Sequence, residues 1–165
     1  MSDSEELLKR LLTSALKGDA KAQYRLGVLY TDGKIVPKDY EQAMKWYSLA
    51  AKQEHSKAQV YLAMLYQKQK DYKNAAMWYV KAAGHGEPKA QYYLGLMFLG
   101  GKGVQKNLEE ALKWLDKAAS QGLNDAKIAL DKILAVEEIS ADYEDEDNDD
   151  TNDNASFMEE VDDIP

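Results

Sequence analysis

The chain has 165 residues, 45% of them hydrophobic and 30% charged, with a formal net charge of −8 and no cysteine. That composition suits a soluble globular protein and excludes a disulfide-stapled scaffold. No apolar run approaches the ~20 residues of a membrane span. The opening Met1, Ser2, Asp3, Ser4, Glu5, Glu6 is the opposite of a basic, apolar-cored export signal, so a cytoplasmic protein with no membrane contact is expected.

In chain order, residues 5–17 predict the first helix, and from Ala22 a repeating pattern begins. An Ala followed by Gln or Lys, with Leu four residues after the Ala, occurs at Ala22, Ala58, Ala90 and Ala126, spaced by 36, 32 and 36 residues. Trp46, Trp78 and Trp114 keep the same register. Periods of this size mean a solenoid of helical hairpins. In the first half of the first period Ala22, Leu26, Leu29 and Tyr30 fall at i, i+4, i+7 and i+8, one face of a helix. The same columns return from Ala58 and from Ala90. In the second half Ala43, Trp46, Tyr47, Ala50 and Ala51 form another stripe, repeated from Ala75 and Ala111. Gly27, Ala63 and Gly95 make a small column that lets paired helices approach closely.

Gly18, Gly86 and Gly122, each four residues before a column Ala, predict left-handed caps on the second helices, and Glu54 takes that slot once. The middle hairpin is shorter: Tyr66 to Tyr72 spans 6 positions where Tyr30 to Tyr40 spans 10. Ala15 precedes Ala22 by seven residues, as Ala51 precedes Ala58, so residues 5–17 read as a lone second-type helix closing one end. Residues 124–136 predict a lone first-type helix closing the other, with Asp125, Asp131 and Lys132 on its wet face.

These columns resemble the Sel-1-like repeat family, a branch of the tetratricopeptide-like solenoids, over roughly residues 7–133. The family's longer hairpin turn is matched by Gly101, Lys102, Gly103, Val104 and, in degenerate form, by Gly33, Lys34, Ile35, Val36. The resemblance implies an all-α, right-handed α-solenoid of three repeats with capping helices. Residues 1–136 form the solenoid and residues 137–165 an acidic tail.

The tail holds 14 acidic residues and no Lys or Arg, which leaves 15 acidic against 21 basic side chains in residues 1–136, a difference of about +6. Residues 142–154 have one aromatic and nothing else to bury, so they are expected to be disordered. Apolar side chains return at Phe157, Met158, Val161 and Ile164, the expected tail contacts. The tail reads either as a solubilising brush or as a tethered acidic ligand. Asp145, Asp147 and Asp149 alternate as in a calcium loop, but Asp150 stands where Gly is required and Ser156 where Glu is required, so no metal site is expected.

Alignment to the tetratricopeptide pattern puts Lys21, Lys57 and Lys89 in a column beside an apolar floor of Tyr24, Val28, Val60, Met64, Tyr92 and Leu96. The same alignment turns Thr31, Asp32, Gln67, Lys68, Leu99 and Gly100 toward the concave side. Chaperone-binding relatives place an Asn where Val28, Met64 and Leu96 stand here, so the groove suits an acidic peptide with hydrophobic anchors rather than a free carboxylate terminus.

No catalytic residues and no cofactor are expected. His55 and His85 fall in turns, read as solvent-facing, without a third ligand or a nucleophile partner. The glycines at 100, 101 and 103 join two helices and lack the Gly-Lys-Ser/Thr ending of a phosphate loop. Nucleic acid is disfavoured because the acidic tail would compete for the same lysines. The sequence therefore predicts a monomeric, non-enzymatic adaptor that binds another protein or acidic peptide segment and has a possible self-contact of its tail. The alternative is an immunity or inhibitor-type protein that neutralises a basic toxin or nucleic-acid-binding partner through the tail.

Overall fold

The computed structural model describes residues 2–143, with side chains through Glu137. Among these residues there are eight helices and no strand: α1 (Asp3–Leu16), α2 (Ala20–Asp32), α3 (Tyr40–Lys52), α4 (Ser56–Lys68), α5 (Tyr72–Gly84), α6 (Pro88–Gly100), α7 (Leu108–Ser120) and α8 (Asn124–Tyr143). Helices α2/α3, α4/α5 and α6/α7 pair as hairpins, each stacked on the next, with α1 closing one end and α8 the other.

Local chemistry sets the helix ends. Ser2 and Glu5 form a reciprocal capping box on α1. Asp19, Asp39, Asp71 and Asn107 accept from backbone N–H groups of the first turns of α2, α3, α5 and α7. Pro88 opens α6, where its missing N–H is no loss. The three predicted left-handed glycines, Gly18, Gly86 and Gly122, have φ of 95°, 88° and 92°. Glu54 takes the same left-handed backbone at φ 62° in spite of its Cβ.

The hairpin loops differ in length, residues 33–39 and 101–107 against 69–71, yet all three end on one bond. The N-cap N–H donates to the last aromatic column: Asp39 to Tyr30, Asp71 to Tyr66 and Asn107 to Phe98, each at 2.9 Å. The short middle loop thus leaves the helix register intact. The small column works as expected. Gly27 lies against the Tyr47 ring, and a Cβ on Gly95 would come within 2.8 Å of Leu115 Cγ.

The core divides into three clusters along the stack. Tyr47 and Tyr79 are fully buried in a central cluster spanning α3 to α6, flanked by an α1–α2 cluster around Leu11, Ala15 and Leu26 and an α6–α8 cluster around Leu115, Ala126 and Ile133. Trp78 is buried in the centre, whereas Trp46 and Trp114 are half-buried.

A buried polar ladder crosses this core. Gln23, Gln59 and Gln91 donate through Nε2 to the carbonyls of Ala15, Ala51 and Ala83 at 3.1, 3.1 and 3.3 Å, tying each first helix to the end of the preceding second helix. In the outer repeats the free Oε1 is satisfied from the next turn: Gln53 donates to Gln23 at 2.7 Å and Gln121 to Gln91 at 2.8 Å. The middle repeat has His85 at that position, and Gln59 Oε1 is buried without a partner. His85 instead pairs through Nε2 with Glu54 Oε2 at 2.9 Å, which also accepts from Gln59 Nε2 at 3.4 Å. The irregular residue Glu54 and the irregular residue His85 therefore meet.

Helix α8 runs seven residues beyond the expected end at Val136. Glu137, Glu138 and Ala141 are strong helix formers, which continue the helix into the acidic stretch and through Asp142 and Tyr143. The remaining tail, with the aspartates of the calcium-like pattern and with Phe157, Met158, Val161 and Ile164, lies outside the described residues.

Candidate binding groove

The first-type helices α2, α4 and α6 line one side of the stack, and the last turns of α4 and α6 open a pocket of about 560 Å³ between them. Its walls are Tyr61, Met64 and Leu65 from α4, Tyr93, Leu96, Met97 and Leu99 from α6, and Tyr79 from α5. Tyr40 and Tyr72, the first residues of α3 and α5, stand at its edge with Thr31 and Gln67. Lys68, Lys70 and Lys102 complete the lining, which contains no acidic side chain.

The tyrosines are held in a fixed arrangement. Tyr79 and Tyr93 stack at 5.4 Å between ring centres, and Tyr47 and Tyr61 at 5.6 Å. Tyr79 donates to Gln67 Oε1 at 2.9 Å, and the Tyr47 hydroxyl shares a 2.8 Å bond with Thr31 Oγ1. Burial pushes the phenols of Tyr47 and Tyr79 far above their usual range, and burial likewise raises Tyr93, so these hydroxyls stay neutral donors. Lys68 Nζ donates to Tyr40 Oη at 3.0 Å and lies 4.2 Å from its ring centre, which with nearby Lys38 lowers the Tyr40 phenol. Lys102 sits 5.4 Å from the Tyr72 ring. Behind Lys102, Gly103 has φ 69° and packs on the Tyr72 carbonyl so closely that a Cβ could not fit, which fixes the long loop against α5.

The residues expected to form one groove fall in four environments. Met64 and Leu96 are in the pocket wall, with Gln67, Lys68 and Leu99 beside them. Lys21, Tyr24 and Lys57 line a second, shallower cleft at the opposite ends of α2 and α4, with Arg25, Glu54, His55 and Ser56. Lys89 is exposed on the first turn of α6. Val28 is half-buried against the central core, while Val60 and Tyr92, at 4% and 6% exposure, are core residues outside the pocket lining. His55 is more than a solvent-facing turn residue: its Nδ1 accepts from Ala58 N–H at 3.2 Å, and its ring stacks on Tyr24 at 4.7 Å.

The pocket tyrosines were not anticipated. Their signal is a column: Tyr61 and Tyr93 stand three residues after Ala58 and Ala90, where the first repeat has Arg25. Both rings line the pocket between the second and third repeats.

Chemically, the pocket offers apolar and aromatic contact, neutral hydroxyl donors and three cations. Its lining has no His, Cys, Ser, Asp or Glu. Among the described residues there is no cluster of three metal-ligating side chains, and no helix is long and apolar enough to cross a membrane.

A stack of three helical hairpins with capped ends and a concave aromatic pocket defines a repeat-type binding module. Residues 20–55, 56–87 and 88–123 each match the Sel1 repeat, and the chain belongs to the Sel1 repeat family. Sel1 repeat proteins generally mediate protein–protein interactions and are typically non-enzymatic scaffolds. Among solved structures the chain is similar to c5321, a protective antigen of uropathogenic Escherichia coli strains with an SLR fold, at 40% identity and a TM-score of 0.73. That likeness covers 76% of this chain and 28% of the antigen, so the chain spans well under half of that protein. A Sel1 repeat protein from Oxalobacter formigenes is 35% identical with a TM-score of 0.68, covering 76% of this chain and 97% of the other. Helicobacter pylori cysteine rich protein B shares the fold at 22% identity and a TM-score of 0.61, over 78% and 95% of the two chains. No curated protein matches the sequence.

Proposed function

We propose that the chain is a non-enzymatic, monomeric adaptor that binds another protein, with the pocket between α4 and α6 taking an acidic segment with apolar anchors. The observation that carries this reading is the lining itself: five tyrosines and five aliphatic or thioether side chains meet three lysines and no carboxylate. Apolar anchors would gain burial and tyrosine contact, while flanking Asp or Glu would face the lysine edge. Met64 and Leu96 are the residues of the predicted groove that this reading retains at the pocket. Lys21, Tyr24, Lys57 and Lys89 become a second contact for a longer ligand, about 20 Å away along the helices. A cytoplasmic setting belongs to the same proposal, in keeping with a chain that has no cysteine for repeat-bridging disulfides.

The acidic tail regulates the groove in this account. Its charge also favours a second reading, an inhibitor that covers a basic partner with the tail. Affinity purification with the full chain and with a chain ending at Tyr143 separates them. Retention of the partner by the shorter chain supports the adaptor; loss of the partner with the tail supports the inhibitor.

A further inference from the structure

We infer that residues 157–164 of this same chain occupy the pocket between α4 and α6 and must be displaced by the partner. The inference rests on the adaptor reading above and adds its regulation.

The path of the chain is the first argument. The pocket lies at the carboxyl-terminal ends of α4 and α6, where Gln67, Lys68, Leu99 and Gly100 line it. Helix α8 is the next first-type helix, joined to α7 by a tight turn and packed against it, so it runs in the same sense as α4 and α6. Its last residue, Tyr143, therefore leaves the solenoid at the end where the pocket opens. Packed helices stand ~8–10 Å apart, which puts the pocket about 20 Å from the α8 axis. Fourteen residue steps separate Tyr143 from Phe157 and reach up to about 45 Å when extended. The cleft at Lys21 and Lys57 lies at the other end of the helices and gains nothing from this exit point.

Complementarity is the second argument. Residues 157–164 alternate Phe157, Met158, Val161 and Ile164 with Glu159, Glu160, Asp162 and Asp163. The pocket answers each half of that pattern, with Tyr61, Tyr93, Met64 and Leu96 for the apolar side chains and Lys68, Lys70 and Lys102 for the carboxylates. A volume of about 560 Å³ admits a pair of large side chains, and the adjacent Phe157 and Met158 are the only such pair in residues 144–165. Tethering supplies an effective concentration of about millimolar, so a weak intrinsic contact fills the pocket for much of the time.

The test uses the full chain and a full-length variant with Phe157, Met158, Val161 and Ile164 all replaced by Ser, which leaves the charge unchanged. Methyl and amide spectra of the two are compared at low and at high ionic strength. The expected result is low-salt differences at Met64, Leu96, Leu99, Lys68 and Lys102 that do not depend on protein concentration and shrink with salt. Identical spectra, differences centred on Lys21, Lys57 and Lys89, or differences that grow with concentration each overturn the inference. Partner affinity supplies the second readout. If the segment fills nine-tenths of the pockets, removing its anchors tightens partner binding about tenfold. A partner that binds both forms equally refutes displacement. A partner indifferent to Leu96→Glu, with the tail contact still visible in the spectra, overturns the adaptor reading and leaves the self-contact standing.

Discussion

Replacing His85 by Gln should stabilise the solenoid. In the outer repeats Gln53 and Gln121 occupy this position with φ, ψ of −89°, 21° and −84°, 2°, and His85 has −78°, −1°, so a Gln there meets no backbone obstacle. It would donate to Gln59 Oε1, which is buried and unpartnered, as Gln53 and Gln121 donate to Gln23 and Gln91 at 2.7 and 2.8 Å. Leaving a buried acceptor unsatisfied costs ~1–3 kcal/mol, and a new neutral bond recovers part of that. The ion pair lost with His85 is exposed on both sides, at 41% and 59%, and contributes little. The net gain is about 1 kcal/mol. For a folded unit of this size that raises the melting temperature by roughly 3–5 °C. Thermal melts at neutral pH measure it, with Gln121→His as the reciprocal exchange expected to lower the melting temperature. A His85→Gln protein that melts at or below the parent temperature would refute the ladder argument.

Three further outcomes follow from the packing. Trp78→Ala should cost ~3–5 kcal/mol and exceed Trp46→Ala and Trp114→Ala, because the central ring is buried and the other two are half-buried; urea midpoints that rank Trp78 mildest would contradict this. Gly27→Ala should cost ~1–3 kcal/mol by pushing the Tyr47 ring off its Thr31 bond, visible as a lower midpoint together with a changed Tyr47 environment. His55 is held below its ordinary value of 6.5 by burial first, with Glu87 opposing and Lys57 and Lys21 assisting. A lowered folded pKa means that its contribution is complete above 6.5 and lost as pH falls through the lowered value. In the His85→Gln background, where no other histidine remains, stability should therefore drop as pH falls below 6.5, and His55→Asn should remove that drop while keeping a cap.

The fold was legible because its determinants are local and periodic. Small columns such as Gly27 and Gly95, the left-handed glycines and the Trp register each state one geometric need that a hairpin stack meets. The ladder was half visible: Gln23, Gln59 and Gln91 stand in the repeated string itself, but a polar residue beside a column Ala gives no sign of being buried until the preceding helix end is placed over it. Glu54 stood out as a missing glycine, and its pairing with His85 required the distance between two turns. The groove was the least legible part because alignment by analogy fixes a helix face only to within a residue, and one residue is 100° of rotation. Val60 and Tyr92 were expected to face the groove; Tyr61 and Tyr93, one position on, do so, and the former pair turns into the core. Lys21 and Lys57 line the second cleft, at the other ends of the helices, because a column along the stack says nothing about which end the deep pocket occupies.

The central claim is that the pocket between α4 and α6 holds the partner. Its most direct test is quantitative capture of the same partner by Leu96→Glu, in the pocket wall, and by Val80→Glu, on the exposed face of α5 at 49% exposure. Both variants must melt within a few degrees of the parent for the comparison to stand. The account predicts that Leu96→Glu loses the partner by at least tenfold while Val80→Glu retains it, a difference of about 1.4 kcal/mol or more. Equal retention by both, or loss confined to Val80→Glu, would contradict it.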